Sequence, residues 1–441
     1  MSKMAEPRAD HTGELGGPGH KGRARLFVAI SVASVAMQAA AWGVLIWVTG
    51  VLKLGYSFAD ISDIRTVYFP YATKMAAGLI PFRDFSLEYP PLFLPLLLAA
   101  GYTPNREAYV DRFALEMICF SLVAGAVTAF VYAQVRSGRT LFVVAAVYAV
   151  SVLALGSIVA QRYDAPVAVA IALALFFLVR RRWIAVGIAL GIGFALKITP
   201  VVLLPLVVLL AARKRIPAAL GAFTVFALAP FAVVAGWGGS STARLAALFT
   251  VHSGRALNID SVLASIFWVP RLFGGPLVPI KVGGSMDVAL ASADAVARGS
   301  VVLVVVLLTL VFALVWRRRA SISGNPSYAV LACLATVLAA LVGSKVLSPQ
   351  YFVWLMPFAA LVAVDRRLLA GLLLASMTLT HVLIPANYPL FHSAQPMWLV
   401  AVVLARNFLL VVCFALSVWY LWTLPRRPNP ASSGQAPMAT A

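Results

Sequence analysis

Apolar residues in this chain come in long runs separated by short polar interruptions. A helix needs about 20 apolar residues to cross a bilayer core. Read on that scale, the chain has twelve crossing segments: 27–50, 112–135, 140–160, 164–180, 183–197, 198–212, 217–236, 299–316, 328–344, 351–364, 368–385 and 396–422. The segments 183–197, 198–212 and 351–364 are short for a full span, so partial or broken helices are expected there. Residues 92–102 are apolar but shorter still, and an even number of crossings leaves them none. They are expected as a re-entrant or interfacial helix behind Pro90-Pro91, and 281–298 as a second piece of that kind. A membrane β-barrel would instead show short segments of alternating hydropathy. The fold class is therefore an all-α polytopic membrane protein with a structured first extracytoplasmic loop.

Composition sharpens this picture. Hydrophobic residues make up 62% of the 441 and charged residues 11%, against a charged share of about a quarter in soluble domains. The net charge of +20 gives no reason to invoke nucleic acid, because the cations cluster at the ends of apolar runs. Those clusters are Arg136–Arg139, Arg180–Arg182, Arg213–Arg215, Arg317–Arg319, Arg366-Arg367 and Arg426-Arg427. Cations flanking spans mark the cytoplasmic side. The expected layout is a single transmembrane domain over 25–424, with outer loops at 53–91 and 237–280. Disordered cytoplasmic tails at 1–24 and 425–441 complete it. The first apolar run is too long for a signal-peptide core and is expected to stay as an anchor. Cys119, Cys333 and Cys413 all sit in apolar runs and suggest neither a disulfide nor a metal site.

The same charge rule puts every unusual polar cluster on the opposite, extracytoplasmic face. Asp60, Asp63, Asp84 and Glu88 are four of only 15 acidic residues. They fall in a stretch, 60–91, broken up by Gly78 and by Pro70, Pro81, Pro90 and Pro91. Asp63, flanked by Tyr68 and Tyr71, is the candidate general base, able to accept a proton from a sugar or alcohol hydroxyl. Asp60 is the nearby competitor. The plainer reading makes Ser62 or Asp63 the cap of a helix starting at Ile64. Arg83, Asp84 and Glu88 are expected to orient the loop or bind hydroxyls, with a purely architectural role as the alternative. Arg162 and Asp164 flank Tyr163 at a span boundary, and their plain reading is an interfacial ion pair. Lys197 interrupts an apolar run beside the helix-breaking Pro200, and intramembrane cations are candidates for function, with snorkelling to the surface as the alternative. His252 and Arg255 share an outer loop with Asn258, Asp260 and Ser261. Lys345 precedes Gln350-Tyr351, a set suited to anions and hydroxyls. His381 reads as a satisfied core histidine. No nucleotide-binding glycine loop, metal-ligand cluster or nucleophile elbow is present, so no cofactor and no metal are expected.

Residues Ser62-Asp63, Tyr68, Gly78, Pro81-Phe82-Arg83-Asp84-Phe85 and Glu88-Tyr89-Pro90-Pro91 resemble the first outer loop of glycosyltransferase family 87. Later pieces resemble it in order: Arg162-Tyr163-Asp164, Lys197-Ile198-Thr199-Pro200, His252 to Ser261, and Lys345 to Tyr351 with Trp354. The likeness spans about residues 26–422, and Phe82 stands where the family pattern has tyrosine. The resemblance implies a GT-C-like bundle of about 12 transmembrane helices in a bacterial plasma membrane. It further implies polyprenol-phosphate-mannose-dependent α-mannosyl transfer with inversion, to a glycolipid or polysaccharide acceptor. In that scheme Asp63 matches the catalytic aspartate, and Arg162, Lys197, His252, Arg255 and Lys345 would face the donor phosphate. Tyr163, Asp164, Gln350 and Tyr351 would line the site. The competing class is a secondary transporter or lipid-linked sugar flippase. Such a protein should hold its ionisable residues near the bilayer midplane and show internal repeats, neither of which is read here.

Overall fold

The computed structural model describes residues 20–51, 63–101, 103–133, 138–237, 241–253, 255–275, 279–282, 285–384 and 387–425. Asp60, residues 1–19 and residues 426–441 therefore lie outside the described residues, whereas 20–24, expected in a disordered tail, open the helix His20–Val51. Each of the twelve apolar segments coincides with a helix. Seven are long and apolar enough to cross a membrane: Val28–Val48, Arg106–Phe130, Gly138–Leu155, Arg213–Gly236, Ala291–Gly324, Pro326–Gly343 and Met397–Trp422. Five shorter apolar helices accompany them: Asp164–Val179, Trp183–Leu196, Thr199–Leu210, Pro349–Val362 and Arg367–Leu383. The chain is a multi-pass, almost wholly helical membrane protein.

Local chemistry explains the helix starts. The Asn105 side chain accepts from the backbone N–H groups of Glu107 (2.9 Å) and Ala108 (3.3 Å) at the head of Arg106–Phe130, which satisfies two donors that lack intrahelical partners. Asn325 does the same for Ser327, ahead of Pro326. Two of the short helices begin as 3-10 turns opened by proline, Thr199–Leu203 and Pro349–Leu355, before turning α-helical. Helix Trp183–Leu196 packs against Ile216–Gly236 through Gly187 and Gly191. A Cβ at Gly187 would lie 2.1 Å from the Ala219 carbonyl oxygen, and one at Gly191 2.7 Å from that of Phe223. This is the close backbone approach that small residues at a spacing of four permit between membrane helices.

Two expectations are corrected in detail. Segment 281–298 is not re-entrant. Its first part belongs to an antiparallel pair of strands, Pro279–Val282 with Ser285–Val288. Its last part opens a helix that runs unbroken from Ala291 to Gly324. At 1.5 Å per residue those 34 residues reach about 51 Å, well beyond a core of about 30 Å, so the span expected at 299–316 continues past both of its ends. Within 92–102 the described residues hold the seven-residue helix Phe93–Ala99, too short to cross, as expected.

Helices Asp164–Val179 and Pro326–Gly343 join two ends of the bundle with opposite chemistry. At one end lie Arg180, which donates to the Phe130 and Val131 carbonyls, and Arg366, stacked over Tyr328 and Tyr420. The other end carries Asp164, Lys345 and the first loop. There a separate hydrophobic core, including Leu257, Ile259, Trp268, Val288, Phe391 and Val400, lies beneath the segment after Arg255. His381 Nδ1 donates to the Leu155 carbonyl oxygen at 3.0 Å, fitting the core role expected of it. The ring lies over Gly156, where φ is +59° and a Cβ would meet His381 at 2.2 Å.

Candidate functional site

The site is built from four separate breaks in regular structure. A π-helical turn, Ile64–Tyr68, follows Asp63. The chain straightens at Arg162 after the short helix Ile158–Gln161, and Asp164 starts the next helix. Lys197 is extended at the end of Trp183–Leu196. The 3-10 turn Pro349–Leu355 presents Tyr351 and Trp354. Breaks such as these free side chains and backbone that a continuous helix would turn toward lipid.

Asp63 forms an ion pair with Arg162 and makes no capping bond to the helix that follows it. One residue further on, Asp164 pairs with Lys197 instead, Nζ to Oδ1 at 2.7 Å. The indole Nε1 of Trp354 donates to the same oxygen at 2.8 Å. Arg162 and Asp164 are thus not each other's partners, as an interfacial pair would be. Nor does Lys197 snorkel. Its ammonium lies 4.9 Å from the ring centres of Tyr163 and Tyr351 and 5.1 Å from that of Trp354, a desolvated cation–π setting. The two carboxylates differ in access: the Asp63 side chain is 28% exposed and that of Asp164 0%. Only Asp63 is open to a substrate.

Beneath this pair lies an aromatic floor. Tyr163 packs against Tyr89 (5.1 Å), Phe93 (4.6 Å) and Tyr68 (6.1 Å between ring centres). Burial raises the phenol pKa values of Tyr68, Tyr89 and Tyr163 well above the ordinary value, and the charge of Asp63 adds to each. These hydroxyls stay protonated. The Glu88-Tyr89-Pro90-Pro91 motif therefore contributes Tyr89 to the floor. Glu88 itself is exposed, and its charge acts on Tyr71. The backbone N–H of Leu92 donates to the Ala195 carbonyl (3.1 Å), fixing the end of the loop beside Lys197.

Arg83 and Asp84 stabilise their own turn. Arg83 pairs with Asp84 at 2.8 Å, and Asp84 also accepts from the Ile80 N–H at 2.7 Å. Phe82, at φ +63°, is wholly buried, so a tyrosine hydroxyl there would need a partner in an apolar pocket. The Phe82 carbonyl accepts from Ser241 N–H and the Arg83 carbonyl from Arg244, tying this turn to helix Thr242–Ser253. His252 lies in the last turn of that helix, and its side chain is outside the described residues. Gln350 is the second residue of the 3-10 turn that carries Tyr351.

Arg255 and Lys345 are brought together from 90 positions apart in sequence. Burial pushes the Lys345 ammonium pKa down, the neighbouring Arg255 charge pushes it further, and Asp287 opposes both. Asp260, named with the outer-loop polar residues but given no role, lies at this end, and three further residues here escaped the sequence reading: Asp287, Tyr388 and Arg406. Arg406 is wholly buried in the last helix and lies 3.9 Å from the Asp260 carboxylate. Burial raises the Tyr388 phenol pKa, and the charges of Asp260, Arg162 and Asp63 all act on it. Arg406 carried a signal in the sequence, a lone cation within an apolar run; Tyr388 carried none.

The family model described as glycosyltransferase family 87 matches residues 87–349, more than half of the chain. No curated protein matches.

Proposed function

The chain belongs to glycosyltransferase family 87, and from that premise we propose that it transfers a hexose, mannose by preference, from a polyprenyl phosphate to a glycolipid or glycan hydroxyl. The reaction takes place at the extracytoplasmic face of the plasma membrane. The observation that carries this reading is a partly open carboxylate, Asp63, beside a cluster of cations and aromatic rings at one end of an apolar bundle.

In this reaction the acceptor hydroxyl oxygen attacks the anomeric carbon from the face opposite the phosphate. The bond from that carbon to the phosphate oxygen breaks, and its electron pair leaves with the polyprenyl phosphate. The acceptor's proton passes to Asp63, which leaves the Arg162 guanidinium without its anion while the negative charge moves to the departing phosphate. Arg162 orients Asp63, and Tyr68 and Tyr89 stand beneath as neutral phenols. Charge then accumulates on the departing phosphate, where fixed cations are most effective. Lys197 is held by Asp164 and Trp354, which favours a scaffold role for it. The adjacent cations Arg255 and Lys345 are better suited to the phosphate, since two like charges held together gain most from an intervening anion. An apolar bundle with short, broken helices at this end suits a donor whose chain stays in the membrane.

The test is turnover by purified full-length protein of polyprenyl-phosphate mannose against other polyprenyl-phosphate hexoses. Asp63→Asn is expected to lower the rate by about 10²- to 10⁴-fold, the usual contribution of a general base, with unchanged yield of folded protein. Full activity in that variant excludes Asp63 as the base.

A further inference from the structure

The last helix sends two neighbouring side chains into the segment that carries Arg255. Arg406 donates through Nη2 to the Asp260 carbonyl and through Nε to Asn407 Oδ1 at 3.0 Å. Asn407 Nδ2 donates to the Ser261 carbonyl at 3.0 Å and to Ser265 Oγ at 2.9 Å. The two residues thus grip consecutive carbonyls 146 positions earlier in the chain. The gripped segment reaches Lys345 directly, because the Asn258 N–H donates to the Lys345 carbonyl at 3.0 Å. On its other side it pairs with the strand that carries Asp287: Ile259 N–H bonds the Met286 carbonyl at 3.0 Å, and Val288 N–H bonds that of Leu257 at 2.9 Å.

We propose that Arg406 and Asn407 are positioning residues that set the placement of Arg255 and Lys345 as one cationic pair for the donor phosphate. The proposal rests on the reading of that pair given above. A contact serving only to cover the apolar underside of this segment would not need a guanidinium, which is costly to bury in a membrane helix. Leu399, Val400 and Val403 of the same helix already cover it. What the polar pair adds is direction, since hydrogen bonds to adjacent carbonyls fix both the height and the rotation of the strand above. Arg406 Nη1 has no hydrogen-bond partner among the described residues, so the guanidinium is not held for maximal bonding but by the reach to Asp260. The clamp also stands near the base, because the Tyr388 phenol is acted on by both Asp260 and Asp63.

Two variants test this in full-length protein: Asn407→Ala, which removes the bonds to Ser261 and Ser265, and Arg406→Lys, which keeps the charge and loses the fork. The first readout is the labelling rate of the Lys345 amine by a small acylating reagent, followed by mass spectrometry and needing no turnover. Both variants are expected to change that rate severalfold while lysines remote from the site keep theirs. An unchanged rate at Lys345 in folded variants overturns the clamp. The second readout is the KM for the lipid-phosphate donor against that for the acceptor. A donor KM raised about tenfold, with kcat and acceptor KM little changed, is expected for the loss of one hydrogen bond to a charged group's support. Altered labelling with an unchanged donor KM overturns the link to the phosphate. Adding Asn407→Ala to the combined Arg255→Ala and Lys345→Ala variant should raise the donor KM no further, and full additivity also overturns it. If the unaltered protein consumes no lipid-phosphate sugar, the donor reading fails, and the labelling arm still decides the clamp.

Discussion

Asp164 and Asp260 are about equally withdrawn from solvent, at 0% and 4% exposure, yet only Asp164 is bonded directly by its cation. Lys197 and Trp354 both reach one oxygen of Asp164 within 2.8 Å. Arg406 instead points its guanidinium at the main-chain carbonyl of Asp260 and stands 3.9 Å from the carboxylate. Burial therefore dominates at Asp260 and pushes its carboxyl up to about 6, with Arg406 opposing only in part. Equal burial thus accompanies a directly bonded ion pair in one place and a more distant cation in another. The deciding quantity is where the cation's hydrogen bonds go.

The largest effect that would break this comparison is at the closed pair. Asp164→Ala leaves the Lys197 ammonium among three aromatic rings without its anion. Loss of one partner from a buried pair costs about 3–5 kcal/mol. The expected result is a large fall in the thermal midpoint of the detergent-solubilised protein, together with loss of transfer. A variant as stable as the parent would mean that the cation–π contacts alone hold Lys197.

A smaller effect is expected at Asp260, as a dependence on pH. The folded pKa of Asp260 lies above its ordinary value of 3.8, at about 6. Between those values the folded state binds more proton than the unfolded state, so stability falls as pH rises through this window and levels off above it. The whole fall is roughly 3 kcal/mol, the free-energy equivalent of the shift. Asp260→Asn should flatten the profile between pH 4 and 6 and match or exceed the parent's stability at pH 7. Arg406 and Tyr388 face the same carboxyl, so the slope should persist in Tyr388→Phe. A flat profile in the parent would place a tighter Asp260–Arg406 bond in solution than the one described.

Much of this molecule could be read from its runs of apolar residues, because lipid forces backbone hydrogen bonds to close within each segment. That rule put a helix on each of the twelve apolar segments and anticipated the proline-broken pieces beside Lys197 and Gln350. It missed the extension of Ala291–Gly324, where Asp294 and Arg298 interrupt the hydropathic run although they do not interrupt the helix. The strand pair flanking Gly283-Gly284 carried a turn signal in the sequence, obscured by the expectation of helix on both sides. Pairings were harder to read. Arg162, Tyr163 and Asp164 are consecutive, yet they face Asp63, the aromatic floor and Lys197 in turn. That division follows from the break between Gln161 and Asp164, and only coordinates give it. Arg406 was legible as an anomaly, a cation among apolar residues, whereas its partner Asp260 looked like an ordinary loop acid.

The smallest effect is expected at Arg83-Asp84, which shares the first loop with Asp63 but differs in what it holds. Arg83 and the Ile80 N–H keep the Asp84 carboxyl down at about 2, so it is ionised at any pH suited to assay. Both side chains are open to solvent, where ion pairs contribute little. Asp84→Asn retains an oxygen for the Ile80 N–H and loses only the charge. The turn should survive, and the acceptor KM should change by about twofold or less, as expected of a solvent-screened pair. Kinetics with saturating donor and varied acceptor would check this. A fall in rate comparable to that of Asp63→Asn would instead bring Asp84 into contact with the acceptor, and the boundary between the loop's scaffold and its chemistry would move from Tyr68 to Asp84.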